Sequence, residues 1–150
     1  MRKKKIVFVC TGNTCRSPMA EIILKQKLKL AGVDGYSVTS AGLSATSGEK
    51  MSKNSAVALK KLGYKPYGFK SRPLTRELLE KADLVVCMTY AHKNWLHGYD
   101  KVLSIAEITG LSDISDPYGG DLTVYMETSR QIEDACNIIL NKILTVKGEN

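Results

Sequence analysis

The segment from Ile6 to Pro18 places the tightest constraint on the fold. Ile6, Val7, Phe8 and Val9 form an unbroken apolar run. A strand with one solvated face alternates polar and apolar residues, so a run without alternation suits the centre of a parallel sheet covered on both faces. Ser17-Pro18 follows shortly after as a helix start, with Ser17 expected as N-cap and Pro18 in the first turn, where a missing N–H costs nothing. Thr11, Gly12, Asn13, Thr14, Cys15 and Arg16 are thereby caught between a strand end and a helix N-terminus. Unpaired backbone N–H groups and the positive helix end favour a bound dianion at such a place. Gly12 permits the tight turn, and Asn13 tolerates a left-handed backbone. Arg16 adds a two-pronged cation suited to phosphate oxygens, so residues 11–17 are expected to cradle a phosphoryl group.

The same surroundings are expected to favour the thiolate form of Cys10, the residue that opens this loop. Most free cysteines are small buried hydrophobes. No packing requirement, however, places Gly-Asn-x-x-Arg after a core cysteine. Cys10 and Arg16 together form a Cys-x5-Arg pattern, and the flanking strand and Ser-Pro helix start make it specific for a nucleophile facing a phosphate.

Strand and helix patterns alternate along the rest of the chain. The first strand ends at Val9, and a helix from about Pro18 to Ala31 stops at Gly32. A second strand is expected over residues 36–41, a helix over 53–62, a short helix capped by Thr75, a third strand over 83–88, a helical turn over 91–96 and a fourth strand over 102–105. Tyr125, Ile132, Ala135, Cys136, Ile139 and Ile143 recur at helical spacing and mark a long final helix. The alternation predicts an α/β fold, a doubly wound four-stranded parallel sheet with helices on both faces. Ligands of such sheets sit at the carboxyl ends of strands, where Cys10 falls.

Length fits a single domain over residues 1–150. The net charge of +7 raises the possibility of nucleic-acid binding, but the lysines are scattered and no aromatic-studded basic patch accompanies them. No apolar run is long enough to cross a bilayer, and no signal-type segment opens the chain. The expectation is a cytoplasmic monomer with no membrane or nucleic-acid partner. The four cysteines show no zinc spacing, and a nucleophilic thiolate needs a reducing compartment, so four thiols and no metal or cofactor are expected. Cys87 and Cys136 read as core residues. His92, His97 and Trp95 carry no motif.

A leaving group also needs a proton. Asp113, Asp116 and Asp121 lie on one polar stretch after the fourth strand, and their residue types alone do not rank them. Asp-Pro and Gly-Gly are also ordinary turn pairs.

Residues 9–21, Val-Cys-Thr-Gly-Asn-Thr-Cys-Arg-Ser-Pro-Met-Ala-Glu, resemble the signature of the low-molecular-weight protein tyrosine phosphatase family. Ser40-Ala41-Gly42, the stretch from Ala82 to Val86 before Met88-Thr89, and Asp116-Pro117-Tyr118 agree with it in the same order. The resemblance implies a flavodoxin-like strand order, phosphorylated protein substrates and a phosphocysteine on Cys10. It implies Arg16 as the phosphate-binding cation, Asp116 as general acid and then base, and a hydrogen bond from Ser17 to the thiolate. Cys15 matches a cysteine that in the family traps an oxidised nucleophile as a reversible disulfide. Thr14 within the loop resembles the bacterial protein-arginine phosphatase branch, in which this threonine helps to select phosphoarginine. Asp121 is a candidate partner for a guanidinium. Phosphotyrosine is the alternative substrate, for which Tyr118 offers one aromatic wall. Arsenate reduction and a cysteine phosphocarrier are remote alternatives. The first needs two further redox cysteines after the third strand, and the second has no use for Arg16 or Asp116.

Overall fold

The computed structural model describes residues 2–148; Met1, Glu149 and Asn150, at the ends of the expected single domain, lie outside them. Four parallel strands, β1 (Lys4–Cys10), β2 (Tyr36–Gly42), β3 (Leu84–Cys87) and β4 (Val102–Ser104), lie side by side in the order β2-β1-β3-β4. Helices α1 (Arg16–Leu30), α2 (Lys53–Lys61), α3 (Arg76–Lys81), α4 (Tyr90–Asn94), α5 (Ile105–Thr109) and α6 (Leu122–Gly148) fill the connections. This is the doubly wound sheet that the alternating pattern predicts.

The register explains the unbroken apolar run in β1. Ile6, Phe8 and Cys10 face one core, together with Met19 and Ile23 of α1 and with Ile132, Ala135 and Ile139 of α6. Val7 and Val9 face a second core with Leu79 of α3, Val85 and Val102. Successive side chains on a strand point to opposite faces, so a helix layer on each side demands an apolar residue at every position. Each fully buried side chain of this size contributes roughly 1.5–3 kcal/mol. Asp83 fastens the other end of β1. Its carboxylate accepts from Arg2 Nη1 and Nη2 at 3.0 Å and from the backbone N–H of Lys5 at 2.7 Å. The Arg2 guanidinium, helped by that N–H, lowers the Asp83 carboxyl to about 2.

Two helix starts differ from the sequence expectation. Ser17 is not the N-cap of α1: that position falls to Cys15, which makes no side-chain cap bond, and Ser17 lies inside the helix. Its hydroxyl turns inward to Cys10 and Asn13 instead, so the first-turn N–H groups stay free of any protein side chain. Pro18 remains within that first turn. Asp121 caps α6, its Oδ1 accepting from the N–H of Val124 at 3.1 Å, which starts the helix before the first buried residue of its stripe, Tyr125. Helix α5 was missing from the sequence expectation. Its signal is a capping box: Ser104 Oγ accepts from the N–H of Glu107, and the Glu107 carboxylate accepts from the N–H of Ser104.

Gly42, at the end of β2, has a steric reason to be glycine. It pairs with Cys10, and the loop folds over it, so an added Cβ would lie 2.6 Å from the carbonyl oxygen of Thr11 and 3.0 Å from the amide nitrogen of Asn13. Both neighbours are backbone and cannot swing aside. Gly42→Ala should lower stability by about 1–3 kcal/mol, seen as a reduced urea midpoint at unchanged slope. An unchanged midpoint would show that the loop yields without cost.

Candidate active site

Between β1 and α1 the chain turns its carbonyls outward. The carbonyl oxygens of Cys10, Thr11 and Thr14 accept from the N–H groups of Leu43, Ser44 and Ser52, each at 2.9 Å. Outward carbonyls leave the loop's N–H groups free to converge on one centre, which is the requirement for an anion cradle. Asn13 makes the turn with a left-handed backbone, φ 55°, and it alone among the described non-glycine residues has positive φ.

The buried Asn13 side chain ties this turn to its surroundings. Its Nδ2 donates to Ser17 Oγ and to Ser40 Oγ, each at 2.9 Å, while its Oδ1 accepts from the N–H of Arg72 at 2.9 Å. Ser40 in turn donates to Glu21 Oε1 at 2.8 Å, and Lys25 holds the other carboxylate oxygen at 3.0 Å. Ser17 Oγ lies 2.8 Å from Cys10 Sγ. Because Ser17 already accepts from Asn13, its own proton is free to point at the sulfur, an arrangement that suits a thiolate.

A cavity of about 290 Å³ opens over the loop, walled by Cys10, Thr11, Gly12, Thr14, Cys15 and Arg16, with Asp116 and Tyr118 across from them. The buried Arg16 guanidinium donates from Nη1 to the carbonyl of Ile114 at 3.1 Å, and its Nη2 lies 3.8 Å from Asp116 Oδ2. Asp116 is largely exposed and forms a small turn by accepting from the N–H of Tyr118 at 3.1 Å. The structure thus brings Cys10, the loop, Arg16, Asp116 and Tyr118 together and sets the other two aspartates elsewhere. Asp121 is the helix cap described above, and Asp113 Oδ1 accepts from the N–H of Tyr90 at 3.2 Å.

Cys15 faces away from the loop centre toward Ser52 Oγ and the Tyr125 hydroxyl, each 3.5 Å from its sulfur. Burial, then contact with Cys15, pushes the Tyr125 hydroxyl up to about 12. All four cysteines are free. Cys87 and Cys136 are buried in the core, where desolvation pushes both thiols up to about 12. No three metal-ligating side chains gather among the described residues.

His92, to which the sequence assigned nothing, lies at this site. Its Nε2 is 2.9 Å from the Thr11 hydroxyl on the cavity wall, and its Nδ1 is 2.9 Å from the hydroxyl of Thr89, which also caps α4 by accepting the N–H of His92. The available signal is the cap: a threonine two residues after the end of β3 sets the residue three positions on over the carboxyl edge of the sheet.

A family model described as low molecular weight phosphotyrosine protein phosphatase matches residues 5–148. The protein-arginine-phosphatase of Bacillus subtilis is 40% identical over 136 residues, 86% of this chain and 89% of that protein. The low molecular weight protein-tyrosine-phosphatase PtpB of Staphylococcus epidermidis is 36% identical over 135 residues, 87% and 92% of the two chains. A solved structure of a YwlE arginine phosphatase variant with a phosphorylated active-site serine superposes with a TM-score of 0.87 at 36% identity, covering 93% of this chain and 95% of that one.

Burial, reinforced by the Arg16 guanidinium and opposed more weakly by Asp116 and Asp113, lowers His92 from 6.5 to about 4. The folded protein therefore excludes a proton that the unfolded chain accepts. The stabilising contribution is complete above about pH 6.5 and is lost as pH falls toward 4. Melting temperature should decline through that window, and His92→Gln should flatten the decline; equal slopes in both proteins would contradict this origin.

Proposed function

The chain belongs to the low molecular weight phosphotyrosine protein phosphatase family, and on that premise we propose that it hydrolyses phosphoarginine on proteins through a phosphocysteine at Cys10. The observation that carries the chemistry is the convergence of Cys10, its Ser17 hydroxyl partner at 2.8 Å, and Arg16 on a single cavity closed by Asp116. The relatives named as arginine phosphatases, and Thr14 on the cavity wall, support the choice of substrate.

In the first step Cys10 Sγ attacks phosphorus, the bond from phosphorus to the guanidino nitrogen breaks, and Asp116 gives that nitrogen its proton. Arg16 and the N–H groups of residues 11–17 hold the equatorial oxygens as charge redistributes. Without that proton the guanidino nitrogen would have to leave as an anion, so the acid has more to contribute here than with a phenolic substrate. In the second step the Asp116 carboxylate takes a proton from water, whose oxygen attacks phosphorus. The bond from sulfur to phosphorus breaks, the Cys10 thiolate returns and inorganic phosphate leaves. Ser17 steadies the sulfur in both steps. A nucleophilic thiol at Cys10 fits a reducing, cytoplasmic setting.

One observation favours phosphotyrosine as the second reading: the Tyr118 ring is 84% exposed at the cavity rim, where a flat aryl group could stack on it. Matched phosphoarginine and phosphotyrosine peptides separate the two. Wild type should show the higher kcat/KM on phosphoarginine, and Thr14→Ile should erase that preference. Asp116→Asn should slow turnover roughly 10² to 10⁴-fold, and Cys10→Ser should abolish it. A wild-type preference for phosphotyrosine would overturn the arginine reading and leave Tyr118 as the determinant.

A further inference from the structure

His92 is polar, 7% exposed and bonded at both ring nitrogens, yet it contributes no atom to the cavity wall and has no step in the reaction above. Resting on the phosphatase reading, we propose that His92 is a positioning residue that fixes the Thr11 hydroxyl so that this hydroxyl donates to the bound phosphoryl group. A neutral imidazole has one donor and one acceptor nitrogen. Thr89 Oγ1 already accepts the N–H of His92, and its own proton is available for Nδ1. The ring proton then sits on Nε2 and is donated to Thr11 Oγ1 at 2.9 Å. With a lone pair of Thr11 occupied in this way, the threonine's proton is directed toward the cavity that Thr11 lines, beside the nucleophile.

The connection also joins the two halves of the site. Thr11 follows Cys10 on the phosphate loop, whereas His92 belongs to α4, whose Tyr90 N–H is held by Asp113 of the acid loop. Directly ahead of α4, the carbonyl of Met88 accepts from the N–H of Ile114 at 3.0 Å, and the Ile114 carbonyl in turn holds Arg16. The imidazole is therefore anchored on a helix that is itself bonded to the segment that supports Arg16 and carries Asp116 opposite the nucleophile. A ring held neutral by its surroundings keeps this tautomer without adding a competing charge.

The test is a double-mutant cycle with two substrates, a phosphoarginine peptide and p-nitrophenyl phosphate, which share the phosphoryl group and differ in the leaving group. His92→Ala and Thr11→Val should each lower kcat about tenfold on both substrates with KM little changed, and the double variant should be no slower than either single one. His92→Gln, whose amide nitrogen reaches the place of Nε2, should restore most of the rate, while His92→Asn, which reaches only the place of Nδ1, should not. A purely structural histidine would not distinguish Gln from Asn in this order. Losses that multiply in the double variant, or a Gln variant as slow as the Ala variant, would overturn the role of His92 while leaving the phosphatase reading intact. Wild type with no turnover on either substrate would overturn the phosphatase reading itself, and this inference with it.

Discussion

Asn13 uses both N–H donors and the carbonyl oxygen of its buried amide on three neighbours, and the geometry of the carboxyl edge follows from that. Its left-handed backbone bends the loop, and its side chain ties that bend to α1 through Ser17, to β2 through Ser40 and to the segment after α2 through the backbone of Arg72. Remove the amide, and Ser17, Ser40 and the N–H of Arg72 each lose a hydrogen bond at once, at a cost of roughly 0.5–1.5 kcal/mol apiece. Glu21 and Lys25 extend the chain of bonds outward, so the cradle is held from one rigid side by a sheet and a long helix. Hydrogen-bond donors fixed in this way need no rearrangement when charge moves onto the phosphoryl oxygens.

The opposite wall is built differently. Asp116 and Tyr118 lie on an exposed loop with a short local turn, and the Arg16 side chain reaches across to support that loop at Ile114. On the proposed reading, Cys10 as nucleophile is set by the fold, and Asp116 as acid by a loop leaning on Arg16. This division lets the leaving group vary at the rim while the phosphoryl centre stays fixed. A substrate proton donor that remains water-accessible can also exchange protons between the two steps.

Much of this was legible from residue order because the relevant constraints are local. An apolar run without alternation demands a sheet covered on both faces, and β1 packs helices on both. Asn13 read as a left-handed turn residue, and it is one. Ser17 misled because a serine before a proline normally caps a helix. Here the helix end is left open for an anion, and the hydroxyl turns inward to the sulfur, a choice made by tertiary contacts that propensity does not contain. His92 and Gly42 were opaque for the same reason. The first meets Thr11 across 81 positions of sequence, and the second is required by a carbonyl that arrives from another element. Asp121 turns its carboxylate to the N–H of Val124 as the cap of α6, a direction that its residue type does not contain. A carboxylate's type gives no direction; only the neighbouring N–H groups do.

On the proposed mechanism one sulfur, that of Cys10, carries the phosphoryl group between the two steps. Asp116→Asn slows hydrolysis of the intermediate as well as its formation, so rapid quenching of that variant with excess p-nitrophenyl phosphate, followed by intact mass and peptide mapping, reads the claim directly. One added phosphoryl group per chain is expected, located on Cys10 and absent from Cys10→Ser under the same quench. A phosphoryl group on any other residue, or turnover without a phosphorylated protein at any quench time, would contradict it.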